Sequence, residues 1–157
     1  THASNHGSIE RAVVDADLVI GAVLVAGGRA PVLVTEAMVQ SMLPGSVIVD
    51  VAIDQGGCVE TSVETTHRAP VVERFGVLHY GVGNIPGAVP HTSTYALTNA
   101  TLPYLVRLAV DGVPGATLAR PELLPGVNTF DGVVTNAAVA LALDQPFMPY
   151  DEARKPG

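Results

Sequence analysis

The residues best placed to do chemistry lie in Ser46-Val47-Ile48-Val49-Asp50-Val51-Ala52-Ile53-Asp54-Gln55-Gly56-Gly57, an apolar run that ends in a carboxylate and two glycines. Rich in β-branched residues and without alternation of polar and apolar positions, the run reads as a strand covered on both faces. Ligands of open α/β sheets bind just beyond the carboxyl ends of such strands. Asp54 there could serve as a general base or ligand acceptor, or it could cap the turn that follows. Gly56 and Gly57 either admit close backbone approach to a ligand or supply a turn's positive φ. Asp50, earlier in the run, is expected to be a structural carboxylate with its hydrogen bonds satisfied.

Asn84, in Asn84-Ile85-Pro86-Gly87-Ala88-Val89-Pro90, offers both a donor and an acceptor at the end of another apolar run, or it starts a turn. No metal site is expected. His2 and His6 lack the Glu of a His-Glu-x-x-His pair, and His67, His79 and His91 have no ligand spacing, so they read as structural or exposed. Cys58 is the single cysteine, which excludes an internal disulfide and a thiolate cluster and leaves a small buried side chain. With 8 basic against 15 acidic residues the net charge is −7 and no basic cluster occurs, so nucleic acid and anionic membranes are excluded as partners. Small molecules or other subunits remain. No apolar run is long enough to span a bilayer, and a reducing, cytoplasmic setting is expected.

The elements that must position these groups follow from capping and periodicity. Ser8 is read as the cap of a helix carrying Ile9, Ala12, Val13 and Ala16 on one face. Leu18 to Leu24 is a second buried strand, and Ala22 to Val25 forms a second lip of the crevice. Its outer edge should be unpaired and invite association. Thr35 caps the next helix, with Val34 and Val39 as a hydrophobic staple, and Pro44-Gly45 stops it. Cys58 to Phe75 shows no clear periodicity. Val77 to Val82 is a third strand, and the loop through Pro90 precedes a long helix over Thr92 to Ala109.

That helix is apolar nearly all round, so burial on most sides is expected, with a kink at Pro103. Asp111 to Gly126 reads as a loop or short helix, Asn128 to Val134 as a hairpin turning at Asp131-Gly132, and Thr135 to Leu143 as an Ala-rich helix. The tail from Gln145 to Gly157 is expected to be exposed and partly disordered. The fold class is therefore α/β: half of a doubly wound parallel sheet, then a long helix and a small α+β appendage. Gly81-Val82-Gly83-Asn84-Ile85-Pro86-Gly87 has the wrong glycine spacing for a dinucleotide fingerprint.

Three stretches taken in order resemble the alanine dehydrogenase family over roughly residues 4 to 143. They are Ala16 to Val25, Val47 to Cys58, and Asn84 to Pro90 with Thr92-Ser93-Thr94 and Ala96 to Thr101. The resemblance implies a cytoplasmic enzyme of L-alanine catabolism that interconverts L-alanine with pyruvate and ammonia, using NAD, as a homohexamer of two-domain subunits. It implies that this chain is the C-terminal part of such a protein, inactive alone. Residues 1–91 would form the second half of a Rossmann-type NAD-binding domain and 92–144 the helix and segment returning to a catalytic domain, with 145–157 as the tail.

Carried over residue by residue, Val23 and Leu24 would line the cofactor, and Val51, Ala52, Ile53 and Asp54 would follow the nicotinamide and its ribose. Val82, Gly83, Asn84 and Ile85 would close the cleft, Ser4 would touch the adenine end, and Asp54 would be the catalytic carboxylate. Ile85 stands where the family usually has Met, and Val63 near a frequent Arg. The family's substrate-handling Lys and His, and its Gly-rich turn, belong to sequence outside this chain. A similar protein, the NAD-binding subunit of proton-translocating transhydrogenase, typically carries an amide in place of Asp54, so Asp54-Gln55 favours the dehydrogenase. The alternatives are a transhydrogenase-like NAD(H)-binding component and a non-catalytic nucleotide-binding or assembly module.

Overall fold

The computed structural model describes residues 1 and 3–155. His2 of the histidine pair and residues 156–157 of the tail lie outside the described residues. The chain divides into two units, one of Thr1–Val25 with Arg29–Ala88 and one of Ala26–Gly28 with Val89–Gly157.

In the first unit, α1 (His6–Val14) is capped by Asn5, whose side chain accepts from the Ser8 N–H at 2.9 Å. The expected cap, Ser8, instead lies within the helix, because Asn is an equally good cap and starts it earlier. β1 (Leu18–Gly21) leads to α2 (Glu36–Ser41), where Thr35 caps as expected by accepting from the Met38 N–H. β2 (Val47–Asp50) is followed by a 3-10 helix, Val51–Gln55. β3 (Val71–Arg74) and β4 (Val77–Tyr80) complete a sheet of order β1-β2-β4-β3.

β1, β2 and β4 run parallel, as read from the sequence, whereas β3 pairs antiparallel with β4 and makes the sheet mixed. β3 escaped the periodicity because its turn is an unusual one. Phe75 (φ 56) and Gly76 (φ 76) form a two-residue connection between the paired Arg74 and Val77, without the Asn-Gly or Asp-Gly that announces such turns.

The core gathers Val39, Ile48 and Val77, all fully buried, with Val13 of α1, Met38 of α2 and Met42 just after it. Burial on both faces holds best at β2, where Ile48 and Asp50 are buried and Val47 and Val49 half-buried. β1 departs from it. Leu18 and Ile20, which share one face of the strand, are exposed because no described residue covers that face, and the strand is an edge strand that pairs with β2 alone among the described residues. The unpaired edge expected of it is present.

In the second unit, α3 (Pro90–Ala119) breaks at Gly112 (φ 65, ψ 173), while Pro103 lies inside the helix without leaving helical dihedrals. Glycine alone takes such dihedrals without a Cβ clash, so the break falls where it costs least. Expected burial is also not met, because Tyr95, Leu97, Leu102, Leu105 and Val106 are exposed. An apolar surface needs a cover, and only the C-terminal end of α3, at Ala116 and Thr117, is buried.

A 3-10 helix (Pro121–Gly126) precedes the hairpin of β5 (Thr129–Phe130) and β6 (Val133–Val134), which turns at Asp131-Gly132 as expected. α4 (Ala137–Leu143) is capped by Asn136. The described part of the tail, residues 145–155, is mostly exposed, as expected, with Tyr150 as its buried exception. Phe147 bridges to Val134, and α5 (Tyr150–Ala153) buries Tyr150 edge-on against Phe130, with its hydroxyl 3.3 Å from Thr117 Oγ1.

Candidate functional site

The site is built around a carboxylate that does no chemistry. Asp50 is fully buried, and its oxygens accept from the N–H groups of Ala52 (3.1 Å), Cys58 (3.0 Å) and Val59 (3.2 Å). That is the satisfied structural role read from the sequence. The capture ends β2 and folds residues 51–59 back on themselves. Gly57 (φ 78) closes the loop so tightly that a Cβ would stand 2.9 Å from Asp50 Oδ2.

Asp54 therefore sits on the 3-10 helix beyond the strand and not at the strand's own end. The correction changes which residues face together. A strand would send Asp54 and Gln55 to opposite faces, whereas three residues per turn stacks Val51 with Asp54 and Ala52 with Gln55. These four, with Ala22, Val23 and Leu24, line a hollow of about 250 Å³. Gln55 was missed as a site residue for this reason. Its Oε1 accepts from the Val25 N–H at 3.3 Å, and its carbonyl accepts from the Ala30 N–H at 2.9 Å, tying the two lips together.

Of the expected site residues, Val23, Leu24, Val51, Ala52 and Asp54 meet in this hollow. Asn84 joins them through its backbone, donating its N–H to Asp54 Oδ1 at 3.1 Å. Gly83 lies beside the same carboxylate, where a Cβ would stand 3.4 Å from Asp54 Oδ1 and against Glu64 Oε1. Ile53 and Val82 are buried and line none of the hollow, Ile85 is half-buried at the start of the 3-10 helix Ile85–Ala88, and Ser4 is exposed ahead of α1.

His79 is structural, as expected. Its Nδ1–H donates to the Val77 carbonyl at 3.0 Å and its Nε2 accepts from the Thr61 hydroxyl at 2.7 Å, while burial holds its pKa below the ordinary value. Among the described residues no three potential metal ligands come together.

Burial, and next the charge of Asp50, push the Cys58 thiol up from 9.0 to about 11. The native thiol is expected to resist a disulfide reagent at pH 8 until the protein is unfolded. Because the folded state holds this proton more tightly, the stability contribution is complete below pH 9.0 and is lost as pH rises toward about 11. Denaturant midpoints measured across that range check the sign.

The family described as alanine dehydrogenase/PNT, C-terminal domain, matches residues 1–137. The chain belongs to that family. Members of the alanine dehydrogenase group are close in sequence: it is 56% identical to an alanine dehydrogenase of Methanococcus maripaludis over 98% of its length. It is 53% identical to an alanine dehydrogenase of Bacillus subtilis, also over 98%. In both cases it spans 41% of the relative's length.

A solved L-alanine dehydrogenase superposes on 90% of this chain with a TM-score of 0.72 and 53% identity, which bears out the fold class. The chain covers 39% of that structure. A transhydrogenase from Sinorhizobium meliloti matches 57% of the chain with a TM-score of 0.52 and 33% identity, covering 25% of that protein. Among the described residues no helix is long and apolar enough to cross a membrane.

Proposed function

We propose that this chain supplies part of the cofactor and substrate cleft of an NAD-dependent alanine dehydrogenase, which oxidatively deaminates L-alanine to pyruvate and ammonia. The observation that carries the reading is Asp54, held by the Asn84 N–H and lining, with Gln55, a hollow whose other walls are apolar. The residues suit one end of a dinucleotide. Val23, Leu24 and Val51 offer apolar surface to a flat ring, while Asp54 and Gln55 offer acceptors and an amide to ribose hydroxyls and a carboxamide. NAD, when bound, supplies the hydride acceptor.

The chain's own residues then divide the remaining work. Val23, Leu24 and Val51 exclude water from one side of the ring, with Ala52 beside them. Asp54 accepts a hydrogen bond from the substrate nitrogen or from water and takes up a proton as that nitrogen or water reacts. Asn84 keeps the carboxylate aimed, and Gly83 leaves room beside it. Ile53, Val82 and Ile85 back the cleft from within the fold, and Ser4 serves the adenine end. A carboxylate at position 54 favours the dehydrogenase over the transhydrogenase-like reading. The unpaired β1 edge and the exposed face of α3 support assembly with further protein surface, in this reading the other subunits of a cytoplasmic homohexamer.

Expression of the full reading frame that encodes this chain tests the proposal. NADH formation dependent on L-alanine is the expected result. A folded protein that binds NADH but does not oxidise alanine would replace this reading with the transhydrogenase-like or purely binding one.

A further inference from the structure

We propose that His67 is a positioning residue for Asp54, acting through the two peptide groups that flank Asn84. The inference rests on the reading of Asp54 given above and adds the part that holds it. Asn84 stands at φ 53, the left-handed conformation that Asn takes more readily than most L residues, and both of its flanking peptide groups are bonded there. Its N–H donates to the Asp54 carboxylate at 3.1 Å, and its carbonyl lies 3.2 Å from His67 Nε2. A carbonyl only accepts, so Nε2 carries the proton.

The same carbonyl also accepts from the Gly87 N–H at 2.8 Å, but that bond lies within the turn and moves with it. His67 instead ties the turn to a neighbouring segment that is itself fixed. The Thr65 N–H donates to the Gly81 carbonyl at 2.8 Å and the Gly83 N–H returns to the Thr65 carbonyl at 3.3 Å. The corner has no slack, because a Cβ on Gly87 would stand 3.3 Å from His67 Nε2 and 3.2 Å from Asn84 Nδ2. The exposed imidazole thus sets the orientation of the 84–85 peptide, and through the Asn84 dihedrals that of the 83–84 peptide whose N–H aims the carboxylate. Neither the ring's charge nor its contact with a ligand is needed.

The test compares His67→Phe, which removes the donor, with His67→Gln, which retains one, in the full-length protein. Loss of one such bond lowers kcat by roughly threefold to tenfold, with the KM values for alanine and NAD unchanged. Hydrogen–deuterium exchange of the peptide containing Asn84, measured without substrate or cofactor, should accelerate by a similar factor in the Phe variant. The Gln variant should stay within about twofold of wild type in both readouts. His67→Ala carries the same expectation as Phe should the larger ring impair folding.

Unchanged exchange in the Phe and Ala variants would overturn the proposal, as would accelerated exchange with kcat unmoved. A Gln variant as impaired as Phe would also overturn it, by assigning the effect to ring shape. If wild type itself fails to oxidise alanine, the functional reading falls, while the exchange comparison still decides whether His67 holds Asn84.

Discussion

Asp54→Asn in the full-length protein is expected to lower kcat for alanine oxidation by about a thousandfold, the middle of the range for removing a positioned proton acceptor. The substitution conserves shape. An amide oxygen can still accept the Asn84 N–H that now reaches the carboxylate at 3.1 Å, so the loop keeps its form. What disappears is basicity, because the amide cannot take up a proton near neutral pH. NADH affinity, read by fluorescence titration, should change by no more than about threefold, the equivalent of one weakened hydrogen bond. A variant that keeps more than about a tenth of wild-type kcat would remove Asp54 from proton handling.

Asp50→Ala should act on stability and not first on chemistry. Deleting the carboxylate leaves the N–H groups of Ala52, Cys58 and Val59 without their acceptor in a buried corner. Each orphaned donor costs about 1–3 kcal/mol, and partial relaxation brings the combined loss to about 3–5 kcal/mol. Chemical denaturation of the full-length protein measures it. Asp50→Asn, which retains one acceptor oxygen but turns an NH₂ toward the donors, should fall between wild type and alanine. A loss below about 1 kcal/mol in the alanine variant would mean that water replaces the carboxylate.

The two residues are the same amino acid in the same run, and their different fates mark how far the sequence could be read. The apolar pattern located β2, the Thr35 cap located α2, and Asp131-Gly132 located the hairpin, because each signal is local. Val51 and Ile53 looked like strand for the same reason, being β-branched. What turns them into a 3-10 helix is a side chain bonding to backbone eight and nine residues ahead, at Cys58 and Val59, and no window on propensity contains that. The turn at Phe75-Gly76 was hidden by a residue that rarely takes positive φ. The exposure of α3 was hidden differently, since its sequence records a burial that the described residues do not supply.

The Asp50 clamp also shapes how such a site can diversify. Ten residues of backbone are pinned by one side chain that no ligand reaches, so the geometry of the loop is inherited independently of what Asp54 carries. Exchanges at position 54 that keep an acceptor for the Asn84 N–H leave the loop in place, so among them selection acts on chemistry. A descendant exchanging the carboxylate for an amide would keep its scaffold and change its trade.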